Sequence, residues 1–214
     1  MANYSTGKET KKKIIQAAQQ LFYEKGYRDT TYADICKAVG IKQGNLHYHF
    51  NSKEVLCREV AARLYSLLRT EAKMISNCSE NQYLVIVIIM YLFWYKFFHD
   101  ENIRRFALET ATIYVNENVY DYFENYLLSI GSSRSKHSFL DAASCLSIDE
   151  RLPIRIVEYT NELSYIDAAE YLIGIYSHFL GPEQAIMEAT IKEARSLLMA
   201  ADLGGVSMSL GIVD

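Results

Sequence analysis

An all-α fold is what this sequence predicts, on three observations. Proline occurs only twice in 214 residues, at Pro153 and Pro182, and the ten glycines leave long stretches free of both; such stretches favour helix. Apolar residues recur at three- and four-residue spacing along most of the chain, the period of a helix with one buried face. Helix start and stop residues punctuate the periodic segments.

The elements follow in order. A first helix runs from about Thr10 to Lys25, with Ile14, Ala18 and Leu21 on one face and Gly26 as its stop. Thr31-x-x-Asp34 resembles a capping box, with aspartate in the usual Glu/Gln place, and starts a short helix through Ile35 and Ala38. Gly40 makes a tight turn, and another short helix spans about Gln43 to His49. Asn51-x-x-Glu54 is a second capping signal, opening a long helix with the stripe Leu56, Val60, Leu64, Leu67/Leu68 and Ile75. Further helices are expected over about 81–99, 102–115 and 117–130. Segment 131–163 reads as a loop holding a short hairpin or a helical turn, because "RLPIRIVEY" (Arg151–Tyr159) partly alternates like a strand around a proline. Two final helices, about 165–180 and 182–201, are divided by Gly181-Pro182. The organisation expected is a three-helix helix-turn-helix domain over 1–51, a larger helical domain over 52–203 and a flexible tail over 204–214.

Charge divides the chain unevenly. Residues 1–58 hold ten Lys/Arg against five Asp/Glu, or +5, and the remainder holds 12 against 21, or −9, for the net charge of −4. A basic head on an acidic body points to a polyanion bound at the N-terminal end. Cys36, Cys57, Cys78 and Cys145 form no C-x-x-C pair, and the N-terminus is polar and lysine-rich; reduced thiols in the cytoplasm are expected. Tyr83–Tyr95 is an unbroken run of 13 apolar residues. That is shorter than the roughly 18–20 of a spanning helix, so a buried core helix and no membrane partner are expected.

The chemistry concentrates in "GNLHYHFNSKEVL" (Gly44–Leu56). At about 100° per residue, Leu46 and Phe50 fall about 40° apart and face inward, while Gly44, Asn45 and Tyr48 fall on the opposite side with His47 and His49 on the flanks. The outward face is polar, aromatic and opened by glycine, which lets a backbone approach a groove wall. His47 and His49 are about 200° apart on the helix, so they do not chelate one ion as an i, i+4 pair can, and no metal or cofactor is expected. Nor does the helix supply an acid–base pair or nucleophile, so no catalytic residue and no enzyme are expected. Three short helices with a glycine turn before the last form the pattern whose final helix enters the DNA major groove. Lys42 and Lys53, at helix starts bordering that groove, are candidates for phosphate contact. His49 orients the turn, meets a phosphate, or is an ordinary packing histidine.

"TTYADICKAVGIKQGNLHYHFNSKEVL" (Thr30–Leu56) resembles the helix-turn-helix signature of the tetracycline-repressor (TetR) family, in which "A-G-V-S" and "G-x-L-Y-x-H-F" precede "x-S-K-E-x-L". The resemblance covers about residues 10–58; the rest agrees in length and helical rhythm. Here His47 stands in place of the usual tyrosine, and Lys42 in place of the serine cap. The resemblance implies that Thr31 and Lys53 bind phosphate from helix N-termini. Gln43 and Asn45 would read base edges, and His47 and Tyr48 would clamp the backbone or touch a thymine methyl. It further implies a homodimer and a small-molecule pocket in the body.

For the dimer seam, Tyr165, Ala169, Leu172, Tyr176 and Phe179 step 4-3-4-3, and Ile186, Ala189 and Leu197 continue an apolar face on the last helix; an intrachain core is the alternative, and the resemblance favours the dimer. For the pocket, the candidates are Tyr91, Trp94, Tyr95, Phe98, Phe106, Tyr114, Tyr122, Phe123 and Tyr126, with Glu109 and His178 nearby. A core seldom absorbs so many phenols unless each hydroxyl finds a partner, and a ligand would supply partners. Acids outnumber bases over 81–130, so an apolar or aromatic effector that is neutral or cationic is expected. The reading is a ligand-responsive repressor that binds a palindromic double-stranded operator as a homodimer; the alternative is a DNA-bound regulator whose body docks a protein partner.

Overall fold

The computed structural model describes residues 2–113, 138–159, 162–180, 184–201 and 203. Every regular element among them is an α-helix: α1 (Ala2–Lys25), α2 (Tyr32–Val39), α3 (Gln43–His49), α4 (Lys53–Ile75), α5 (Gln82–His99), α6 (Glu101–Thr110), α7 (Ser138–Tyr159), α8 (Tyr165–Leu180) and α9 (Gln184–Ala200). The helix expected over 117–130, the Gly181-Pro182 break and the tail from 204 lie outside the described residues.

Two apolar clusters organise the chain. The head cluster joins Ile14, Ala18 and Phe22 of α1 to Ile35, Leu46 and Phe50, and is closed by Leu56, Cys57 and Val60 of α4 and by Phe106 of α6. The body cluster is built around α5, whose Leu84, Ile88, Tyr91, Leu92, Trp94 and Phe97 pack with Ala169, Leu172, Ile173 and Tyr176 of α8 and Ala194 and Leu198 of α9. The stripe expected on α4 therefore serves both: Leu56 and Val60 face the head, while Leu68 and Ile75 pack on the body. Helix α5 is long and apolar enough to cross a membrane, yet 56% of it is buried inside the protein, as befits a core helix.

Three helix boundaries depart from the sequence reading. Helix α1 begins at Ala2 instead of near Thr10, since no proline interrupts residues 2–9 and a single Gly7 costs only about 1 kcal/mol. The cap of α4 is Ser52, whose hydroxyl accepts from Val55 N, not Asn51. Helix α6 ends at Thr110, short of 115. The larger correction is segment 138–159, which is helix α7 and not a loop or hairpin. Buried Asp141, Cys145, Pro153 and Ile156, with half-buried Ile148 and Leu152, follow the helical period. Pro153 sits inside, forgoing one backbone hydrogen bond. The alternation at 151–159 is too short to outweigh that longer period.

Candidate nucleic-acid interface

The head is assembled from local signals. Thr31 caps α2: its hydroxyl accepts from Asp34 N, while the Asp34 carboxylate accepts from Thr31 N at 2.9 Å and from Thr31 Oγ1 at 2.7 Å. These donors, with the Lys25 ammonium at 3.0 Å, lower the Asp34 pKa to about 2. Gly40 ends the helix at φ 75°, a left-handed conformation that suits glycine. Helix α3 then follows its N-cap Lys42, which makes no side-chain cap hydrogen bond, as its replacement of a serine implies.

The two faces of α3 separate as the wheel requires. Leu46 and Phe50 are 0% and 1% exposed, and burying each contributes about 1.5–3 kcal/mol to holding the helix on the head. Lys42, Gln43, Gly44, Asn45, His47 and Tyr48 are all exposed. Tyr48 is 83% exposed, a large aromatic ring displayed beside three amide or cationic side chains. Half-buried His49 packs edge-on to Tyr48 at 5.2 Å, and His47 packs edge-on to Tyr32 at 4.9 Å. Among the described residues no group of three or more His, Cys, Asp or Glu is placed to hold a metal.

Lys53 has a structural task that spacing alone does not reveal. Its Nζ donates to the carbonyl oxygens of Tyr27 (2.9 Å), Thr30 (3.0 Å) and Arg28 (3.3 Å), and stands 4.4 Å from the Tyr27 ring centroid. The cation thus pins the α1–α2 loop, which presents Thr31. Thr30 is fully buried and donates to Gly26 O at 2.7 Å.

Phe106 and Glu109, expected in a body pocket, lie instead at the seam between head and body. Phe106 stacks on Phe22 at 6.0 Å. Glu109 Oε2 accepts from Arg28 N at 2.9 Å. Arg105 Nη2 donates to the carbonyls of Tyr23 (2.8 Å) and Glu24 (3.0 Å) at the end of α1, and Tyr23 donates its hydroxyl to Asp100, the N-cap of α6. Gly26, at φ 92°, lies so close that an added Cβ would be 3.1 Å from the Glu109 carboxylate. Neither Arg105 nor Tyr23 carries a sequence signal of this role.

The remaining body candidates divide. Tyr91 and Trp94 are buried, Tyr95 and Phe98 half-buried, and His178 exposed. Tyr114, Tyr122, Phe123 and Tyr126 lie outside the described residues. Two body phenols find protein partners: Tyr91 donates to Glu170 Oε1 at 2.6 Å, itself paired with Arg195, and Tyr83 shares a 2.6 Å hydrogen bond with Ser177. For these residues the argument from unpaired phenols does not hold. Trp94 Nε1, like Glu71 Oε1 and Arg105 Nε, is buried with no hydrogen-bond partner. The dimer stripe is also corrected. Ala169, Leu172 and Tyr176 belong to the subunit's own core and Tyr165 is half-buried against it, while the side chain of Phe179 lies outside the description. Ile186 and Ala189 are exposed and Leu197 is half-buried. Among the described residues, the large exposed apolar side chains of α8 and α9 are Tyr171, Ile186 and Met199. All four cysteines are free thiols, Cys78 exposed and the others buried; burial pushes the Cys57 thiol up to about 12.

Comparison with known proteins agrees with this geometry. Residues 14–60 match the family model of bacterial regulatory proteins, tetR family. The biofilm operon icaADBC HTH-type negative transcriptional regulator IcaR of Staphylococcus aureus is 30% identical over 128 residues, 59% of this chain and 68% of the relative. Its counterpart in Staphylococcus epidermidis is 34% identical over 123 residues, 58% and 64% of the two chains. The fold is similar to that of RolR in complex with resorcinol, with a TM-score of 0.61 at 13% identity over 91% of this chain and 95% of that one. It is also similar to full-length TylP, a TetR regulator from Streptomyces fradiae, with a TM-score of 0.53 at 18% identity over 91% and 93%. With its capped α2, glycine turn and outward-facing α3, this chain belongs to the TetR family of DNA-binding transcription regulators.

Proposed function

We propose that the protein is a cytoplasmic repressor that binds a palindromic operator as a homodimer and is released by a small apolar or aromatic effector. The observation that carries the DNA half is the α3 surface, where Gln43, Gly44, Asn45 and Tyr48 project over a fully buried Leu46. Residues 1–51 supply the reading surface and 52–203 the body; Thr31, Lys42, His47, His49 and Lys53 are the residues we assign to the backbone. Selection from random duplexes should return inverted repeats whose half-sites are spaced for two recognition helices about 34–36 Å apart or a multiple. Affinity for the selected duplex should fall steeply with salt, because the +5 head displaces counterions from phosphates. Recovery of isolated half-sites, or a flat dependence on salt, would defeat this reading.

Asn45 and Gln43 are the base readers. Asn45→Ala should relax preference at one base pair by about 1–3 kcal/mol, leaving the other positions as they were. A loss of the same size on every sequence would place Asn45 on the backbone instead.

The dimer forms through α8 and α9, supported by the exposed Tyr171, Ile186 and Met199. The effector reading is supported by the buried, unpartnered Trp94 Nε1, a donor awaiting an acceptor, and by RolR, a relative in fold, which binds the small aromatic resorcinol. Such a ligand acts only if it favours one arrangement of the heads over the other. In a screen of small aromatic compounds, those that raise the melting temperature should also release operator DNA. Stabilisation without release would remove regulation from this site, and a set of hits that were all anionic would contradict the acidic balance of the body.

A further inference from the structure

We propose that His47 makes operator binding proton-linked, with Tyr32 as the residue that positions its imidazole against a phosphate at one wall of the groove. This rests on the DNA-binding reading above. Histidine is the side chain whose ordinary titration, at about pH 6.5, falls in the physiological range. A phosphate beside an imidazole favours its charged form. Duplex and proton therefore strengthen one another's binding, and affinity rises as the pH falls.

Two features of the ring point this way. His47 is exposed on the flank of α3, between the outward Gly44 and Tyr48 and the buried Leu46. A flanking residue of a helix lying in the major groove faces the groove walls, which are phosphate. Among the described residues its ring nitrogens have no hydrogen-bond or ion-pair partner; its contact is the Tyr32 ring, edge-on at 4.9 Å. Tyr32, the first residue of α2, is itself tied down: it is half-buried and donates its hydroxyl to Phe50 O at 3.3 Å. The imidazole is thus held in place with both nitrogens uncommitted.

The groups around it that are shifted move away from the histidine range. Burial, then the Glu54 carboxylate, pushes the Tyr32 phenol up. Glu54 of α4 is held below the usual carboxylate range by hydrogen bonds from its own backbone N–H and from Ser52, and Asp34 of α2 lies at about 2. The other charges on these elements are Lys11, Lys25, Lys37, Lys42 and Lys53, of a residue type that titrates at about 10.4. The second imidazole of α3, half-buried His49, sits on the opposite flank against Tyr48.

The test measures binding of the full chain to the duplex it selects, at fixed salt, from about pH 8 to about pH 6. The parent should bind about tenfold tighter at the acid end, the effect of a one-unit shift at a single group. His47→Gln should lose most of that rise, and His49→Gln should keep it. Tyr32→Phe retains the ring and should retain the rise, whereas Tyr32→Ala should diminish it. The parent's log–log salt slope should also be steeper in acid, by up to about 0.9 for one added phosphate contact, and that difference should vanish in His47→Gln. A flat pH profile in a parent that binds normally overturns the proposal, as does a rise that survives His47→Gln in full or disappears in His49→Gln. A full rise in a folded Tyr32→Ala removes the positioning role. If the parent binds no duplex at any pH, the DNA reading itself has failed.

Discussion

Replacing Phe106 with alanine is expected to destabilise the protein by about 3–5 kcal/mol, the cost of removing a large buried ring, and to do so in the head. Phe106 belongs to α6, which by its position in the chain is part of the body. Its ring is 2% exposed, stacks on Phe22, and packs in the cluster that holds Leu46 and Phe50 under the recognition helix. Loss of the ring removes a large apolar plug between the two units, leaving Ile113 and the polar contacts of Arg105, Glu109 and Asp100 with the end of α1 and its loop. Hydrogen exchange should therefore quicken in α1–α3 more than in α8 and α9, and DNA affinity should fall although Phe106 is remote from the α3 surface. An exchange increase confined to α8 and α9 would show that Phe106 supports the body instead.

Lys53→Ala is expected to lower both stability and DNA affinity. Three carbonyl oxygens of the α1–α2 loop share its ammonium, and hydrogen bonds to a charged group contribute about 1.5–3 kcal/mol. Some of that is recovered when water enters the half-buried site, so a loss of about 2 kcal/mol is expected. Affinity should decline on all duplexes by a similar factor, because the loop presents Thr31 and because a backbone cation has gone. Paired measurements of melting and of binding decide the matter. Weaker binding with an unchanged melt would mean that Lys53 acts on phosphate alone and that the loop holds without it.

These two residues mark where the sequence stops being sufficient. What it determined by itself is local. Thr31-x-x-Asp34 capped α2 and Gly40 ended it, because capping hydrogen bonds and a positive φ depend only on near neighbours in the chain. The sidedness of α3 followed from period alone, since Leu46 and Phe50 lie on one face of any helix with that spacing. So did the two-helix rhythm of 165–200. Tertiary structure decided which partner each face received. The stripe through Ala169, Leu172 and Tyr176 is apolar whether it meets a second subunit or its own α5, and the structure gives it α5. Phe106 and Glu109 sit in an aromatic, acidic stretch, yet the path of α6 carries them to the end of α1. Period reports that a face must be covered, because exposed apolar surface is costly in water. It is silent on what covers it, because that contact joins residues as far apart in the chain as Phe22 and Phe106.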